Sequence, residues 1–258
     1  MDGGQQIDDP PQRIALLTDF GPGPYIGQMQ LLLSAFAPST ATVSLCSDLP
    51  VFRPDLAAYL LSGFSVAMPP RTLYLCVVDP GVGSERDILL TRCGSDWWLA
   101  PDNGLLAPLL RIHPDAEVYR LDWRPQRLSA SFHGRDLFVP ATAALVAGVR
   151  PMSKRVTAET IVHADWPVDA WRICYIDGFG NLISGVRASK VSGQTHVAIG
   201  GRSLSRSRTF SEVDPGVAFW YENAFGLLEV AVNQGRADAL LGVGLGTALS
   251  LVPADARV

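Results

Sequence analysis

Cys76-Val-Val-Asp-Pro-Gly-Val-Gly-Ser-Glu-Arg86 begins apolar and stops abruptly. Leu73 to Val78 reads as a buried strand, and the run breaks at Asp79-Pro80-Gly81. A carboxylate at the carboxyl end of a buried strand, followed by a Pro-Gly turn, is where open α/β sheets place their chemistry. Arg86 returns a fixed positive charge close enough for the turn to fold it back onto Asp79. An adjacent guanidinium favours the ionised carboxylate. The pair reads equally as a salt bridge stapling a loop, and this segment alone leaves both readings open.

Outward from this strand, helix and strand signals alternate. Ile14 to Thr18 is a short apolar run ending at Asp19, Tyr25 to Phe36 reads as a helix, and Ala41 to Leu45 as a second strand. Pro54 and Asp55 suit the first turn of a helix running to about Met68. Asp87 to Arg92 and Trp97 to Ala100 pair as a hairpin, and Asn103 to Ile112 and Leu137 to Val149 read as helices. Such alternation predicts an α/β N-terminal domain over residues 13–155, a mainly parallel sheet with flanking helices. After a linker at 156–167 the texture changes. Trp171 to Asp177, Leu182 to Val186, Thr195 to Ile199, Val217 to Tyr221, Leu227 to Val232 and Thr247 to Val252 are short strand-like runs punctuated by glycine and polar residues. They predict a small all-β barrel domain over 168–258.

With 258 residues, 48% of them hydrophobic, the chain can bury a sizeable core. A net charge of −4 and arginines spread along the chain give no basic patch for nucleic acid or an anionic membrane. No apolar run reaches the length of a membrane span. Residues 1–12 are polar and end in Pro10-Pro11, which reads as a disordered leader rather than a signal peptide. The 4 cysteines (Cys46, Cys76, Cys93 and Cys174) show no metal or redox spacing and read as reduced residues of a cytoplasmic protein.

Gly21-Pro-Gly-Pro24 follows a strand, but its prolines remove donors that a phosphate loop needs. Gly242, Gly244 and Gly246 sit between β elements, so neither loop predicts nucleotide binding. The 4 histidines include no pair at metal spacing, so no metal is expected. His133 lies in Ser131-Phe-His-Gly-Arg-Asp136, a turn entering an apolar helix, where it can face a cleft or solvent. Asp177-Gly-Phe-Gly-Asn181 is a turn between strands. A turn alone does not call for Phe179, whose ring between Asp and Asn suits stacking on a flat base.

Together these segments resemble the S-adenosylmethionine hydroxide adenosyltransferases, the water-using relatives of fluorinase and chlorinase. The markers are Thr18-Asp-Phe-Gly21, Val78-Asp-Pro-Gly-Val-Gly-Ser-Glu-Arg86, Ala100-Pro-Asp-Asn-Gly104, Phe132-His-Gly-Arg-Asp136, Asp177-Gly-Phe-Gly-Asn181 and Gly226-Leu-Leu-Glu-Val-Ala-Val-Asn233, in that order. The resemblance implies hydrolysis of S-adenosyl-L-methionine to adenosine and L-methionine without a cofactor. It also implies a homotrimer whose active sites lie between neighbouring subunits. Asp79, Arg86 and His133 match the set that distinguishes water-using from halide-using members. By the same resemblance Asp19 grips the ribose hydroxyls, Phe52 and Phe132 line the sugar pocket, and Asp177 holds the methionine ammonium. Phe179, Asn181 and Asn233 match the adenine contacts. The chain departs from the pattern at Ser47-Asp48, where a histidine is common, and at Asn223-Ala-Phe225, where Asn-Ser is expected. Halide-dependent adenosyl transfer and a non-catalytic binder of S-adenosylmethionine or adenosine are the alternatives.

Overall fold

A computed structural model describes residues 4–252. The chain divides into two compact units. One comprises residues up to Ala58 together with Met68–Trp166, the other Tyr59–Ala67 together with Pro167 onwards.

The first unit contains β1 (Gln5–Gln6), β2 (Arg13–Thr18), α1 (Pro24–Phe36), β3 (Ala41–Cys46), the start of α2 (Pro54–Phe64), β4 (Thr72–Val77), β5 (Ile88–Cys93), β6 (Asp96–Pro101), α3 (Ala107–Ile112), β7 (Glu117–Leu121), α4 (Val139–Val146), β8 (Val149–Arg150) and β9 (Ser153–Val156). Its sheet has seven strands in the order β3-β2-β4-β6-β5-β7-β9. Strands β3, β2, β4 and β6 run parallel, while β5, β7 and β9 join antiparallel. The sheet is therefore mixed rather than mainly parallel. The β5–β6 hairpin turns the direction, and β7 and β9, too short and polar to stand out in the sequence, extend it. Every residue of β4 is buried, as a central strand covered on both faces requires. Tyr74 stacks on Trp98 across the β4–β6 pair at 4.1 Å, and Leu16, Leu75, Leu99, Trp97 and Phe138 lie in the core.

The expected disordered leader is corrected over its described part. Gln5 and Gln6 pair with Arg150 and Val149, Asp9 forms an ion pair with Arg71, and the Gln12 amide donates to the Arg71 carbonyl. These ties run largely through the backbone, which leaves no mark on composition. Residues 1–3 of the leader lie outside the described residues. The expected linker is structured as well: a 3₁₀ turn spans Ala158–Thr160, and the Val162 amide donates to Asp102 at 2.8 Å.

The second unit contains the rest of α2, β10 (Ala170–Ile176), β11 (Leu182–Arg187), β12 (His196–Ile199), β13 (Arg202–Leu204), β14 (Ala218–Glu222), β15 (Leu227–Val232), α5 (Ala237–Leu241) and β16 (Ser250–Val252). Its strands are antiparallel and form two sheets, β10-β11-β15-β14 and β13-β12-β16. Leu182, Leu228, Val230, Trp220 and Val197 fill the core. The last residues assigned to this domain, 253–258, lie outside the described residues.

Candidate active site

Strands β2 and β4 are parallel neighbours paired up to Thr18 and Val77, so Asp19 and Asp79 leave the sheet side by side. Burial is the main cause that raises the pKa of Asp19; the Phe52 amide opposes it, and the Asp79 charge adds to it. That amide donates to Asp19 Oδ2 at 3.0 Å. Holding it there puts Phe52 at φ 58°, an uncommon conformation for a bulky residue, and leaves its ring 71% exposed. Left-handed conformations of this sort cluster at ligand sites, where surrounding contacts maintain them.

Asp79 and Arg86 form the ion pair expected from the sequence, and its geometry is bidentate. Arg86 Nε donates to Oδ1 at 2.6 Å and Nη2 to Oδ2, with side chains only 4% and 9% exposed for Asp79 and Arg86 respectively. The turn between them requires Gly83, whose φ is 85° and whose Cβ, if present, would lie 2.4 Å from the Ala130 carbonyl oxygen. That close approach brings the turn against the segment carrying His133. The Asn103 amide donates to the Val78 carbonyl at 2.9 Å and fixes the strand end. Asn103 belongs to the quoted Ala100-Pro-Asp-Asn-Gly104 marker but had no role assigned from sequence.

His133 precedes a π-helical turn, Gly134–Phe138, that leads into α4. Such turns recur at functional sites. Arg86 Nη2 lies 3.2 Å from His133 Nδ1. A guanidinium has donors only, so Nδ1 is the acceptor and the imidazole proton sits on Nε2. Burial, and then the Arg86 charge, lower the His133 pKa below 6.5. A buried carboxylate, a guanidinium and a neutral imidazole are thus locked together at the carboxyl ends of parallel strands. Beside them Phe132 packs edge-on against Tyr25 and Phe20, at 5.1 and 6.0 Å. Phe132 is itself buried, so it contributes an apolar wall rather than a free ring.

In the second unit, Asp177 Oδ1 accepts the amides of Phe179 and Asn181, both at 2.9 Å, and Oδ2 accepts Asn181 Nδ2 at 3.0 Å. Gly180 allows this turn with φ 83°, packed where a Cβ would meet Asp238 and Arg236. The turn holds the Phe179 ring out, 79% exposed. Asn233 Nδ2 donates to the Val213 carbonyl at 2.6 Å, bracing a neighbouring loop. Among the described residues no group of three or more His, Cys, Asp or Glu side chains is placed to hold a metal, and no helix is long and apolar enough to cross a membrane.

The first unit is thus an α/β sheet with a nearly covered Asp–Arg–His cluster at its strand ends. Residues 14–155 match the SAM hydroxide adenosyltransferase N-terminal domain and residues 171–250 its C-terminal domain. The chain belongs to this family. It is 34% identical, over 93% of its length and 99% of the relative's, to the (R)-S-adenosyl-L-methionine hydrolase of Thermus thermophilus. It is 30% identical to the protein of that name from Salinispora tropica, over 92% of this chain and 96% of that one. Among solved structures, an uncharacterized conserved protein from Thermotoga maritima superposes with a TM-score of 0.82 at 26% identity, covering 92% of this chain and 99% of that one. A conserved hypothetical protein from Thermus thermophilus gives 0.74 at 32% identity, covering 93% and 100%.

Proposed function

We propose that this protein hydrolyses S-adenosyl-L-methionine to adenosine and L-methionine. The water oxygen attacks ribose C5′, the C5′–S bond breaks, and its electron pair stays on sulfur as the neutral thioether of methionine. The attacking water gives up one proton, which is released to solvent, so the positive charge lost by the sulfonium leaves as H+. The reaction balances without a redox or group-carrying cofactor. The observation that carries the reading is the buried Asp79–Arg86–His133 cluster in a chain of this family. With Nδ1 facing Arg86, His133 has its Nε2 proton to donate to the water oxygen, leaving Asp79 as the acceptor that orients the water. Orientation in line with the C–S bond is the main contribution, because effective molarities for well-placed reactants correspond to about 7–11 kcal/mol. A charge-poor pocket around sulfur adds to it, since the sulfonium loses its charge on the way to the transition state.

Asp19 takes the ribose hydroxyls, with Phe52 and Phe132 along the sugar. The Asp177 turn takes the methionine ammonium, Phe179 stacks on adenine, and Asn181 and Asn233 contact its edge. The ring held out by the Asp177 turn supports the stacking role, since no packing requirement explains it. The serine missing at Ala224 leaves the methionine carboxylate to backbone amides of that turn. The finer architecture we propose is a barrel-like second domain and a homotrimer in which a neighbouring subunit supplies the second set of residues. Light scattering should report a trimer, and a mixture of Asp79→Ala and Asn181→Ala proteins, dissociated and reassembled, should recover activity. A fully active monomer would refute the shared site.

Incubation with S-adenosylmethionine, scored for adenosine and methionine, tests the reaction. Chloride or fluoride in the same assay should give no halogenated nucleoside, because the negative charge of Asp79 repels an anion at the water position. Binding without turnover would refute hydrolysis.

A further inference from the structure

The second unit holds a buried polar network that the reaction as written does not use. Strands β14 and β15 pair Tyr221 directly with Glu229, so their side chains share a face. Tyr221 Oη donates to Glu229 Oε1 at 2.5 Å, and Asn223 Nδ2 donates to Oε2 at 2.9 Å. Glu229 is 4% exposed and Asn223 is buried. Asn223 Oδ1 in turn accepts the amides of Phe225 and Leu227, at 2.9 and 3.0 Å, while its own carbonyl accepts the Gly226 amide. One carboxylate therefore fixes which way an asparagine amide points, and that asparagine collects three of the turn's N–H groups. Ala224 is exposed, and among the described residues its amide has no acceptor. Burial raises the pKa of both Tyr221 and Glu229, and the Asp177 charge adds to the shift in each, which places the turn's anchor in the electrostatic neighbourhood of Asp177.

A core residue with only a packing role is ordinarily apolar, and a buried acid is costly to keep unless its partners need its geometry. We propose that Tyr221, Glu229 and Asn223 are positioning residues for the amino-acid end of S-adenosylmethionine: they lock the 223–227 turn so that the Ala224 amide is presented to the substrate carboxylate. This rests on the function proposed above. In the absence of the serine hydroxyl, a rigidly held backbone donor becomes the part of this turn that recognises the carboxylate. The network is polar in one direction only, since Glu229 accepts twice and Asn223 must offer its NH2 inward and its oxygen to the turn.

That directionality gives the test. Glu229→Leu removes both acceptors and leaves the Tyr221 hydroxyl and the Asn223 NH2 without their partner. The double change Glu229→Gln with Asn223→Asp reverses the polarity of the link, because the glutamine NH2 then donates to the aspartate. The aspartate still accepts the turn amides. Calorimetric titration of each variant with S-adenosylmethionine and, separately, with adenosine, which lacks the amino-acid arm, reads the effect. Glu229→Leu should weaken S-adenosylmethionine about tenfold or more and adenosine less than about twofold, and the double variant, which keeps a link of reversed polarity, should hold most of the wild-type affinity. Tyr221→Phe, which deletes one donor and leaves the Glu229–Asn223 bond, should weaken S-adenosylmethionine by about threefold and serves if Glu229→Leu does not fold. Equal weakening of both ligands, no weakening of S-adenosylmethionine, or a double variant no better than the single one would overturn the proposal. Wild-type protein that binds S-adenosylmethionine without cleaving it would count against hydrolysis and leave this binding test standing.

Discussion

The two units carry their polar residues in opposite ways. In the first, His133 is buried, the Asp79 and Arg86 side chains are nearly covered, and the three bond chiefly to one another, so the geometry exists before any ligand arrives. In the second, the Asp177 turn is tightly hydrogen-bonded inside and presents an exposed ring outside. Groups that orient a reacting water gain from a dry, rigid setting, because charge interactions there are strong and need no rearrangement. A surface that grips a flat base gains from an open ring and a stiff backbone beneath it. Under the proposed function, this contrast assigns rate chiefly to the first unit and affinity chiefly to the second.

The largest expected effect would break that division if it failed. Asp79→Asn should lower adenosine formation by about 10²–10⁴-fold while S-adenosylmethionine affinity stays within about threefold. Because removing one partner of a buried ion pair costs about 3–5 kcal/mol, thermal unfolding should be followed on the same sample. Wild-type turnover in a folded variant would show that the pair only staples its loop. The proposed sugar contacts are exceptions within the first unit, so Asp19→Ala should act on binding. Charge-assisted hydrogen bonds contribute about 1.5–3 kcal/mol each, so adenosine should bind about 10- to 100-fold more weakly by calorimetry.

Phe179→Ala probes the other side. Base stacking contributes about 1–3 kcal/mol, which predicts adenosine binding weaker by roughly tenfold. Melting should barely change, as exposed substitutions stay within about 0.5 kcal/mol. A large drop in melting temperature would mean that the ring packs rather than binds. The smallest effect is a shift in pH profile. The His133 pKa lies below 6.5, so the neutral imidazole is present above that depressed value and is lost only beneath it. The rate constant kcat/KM should therefore fall on the acid side with a midpoint below pH 6.5. A decline centred above 6.5 would assign the acid limb to another group.

Local signals made much of this legible. The apolar run Leu73 to Val78, its stop at Asp79, the turn residues of Asp177-Gly-Phe-Gly-Asn181 and the break in texture after Pro151 all act over a few residues. Propensity, turn chemistry and the ordered markers therefore determined most of the longer elements, the α/β-then-β division and the family. The mixed direction of the first sheet was not legible, because strand pairing is set by contacts between distant segments: β7 becomes a strand only where β5 offers an unpaired edge, and β9 only where β7 does. The docked leader escaped notice for the same reason, its bonds being made by backbone atoms. Sequence placed Asp79, Arg86 and His133 among the candidates, but only tertiary structure decided that Arg86 faces Nδ1 and so assigns the imidazole proton. It also decided that Glu229 stands behind Asn223. Composition and pattern record which groups the chain carries, whereas hydrogen-bond direction depends on where folding brings each lone pair.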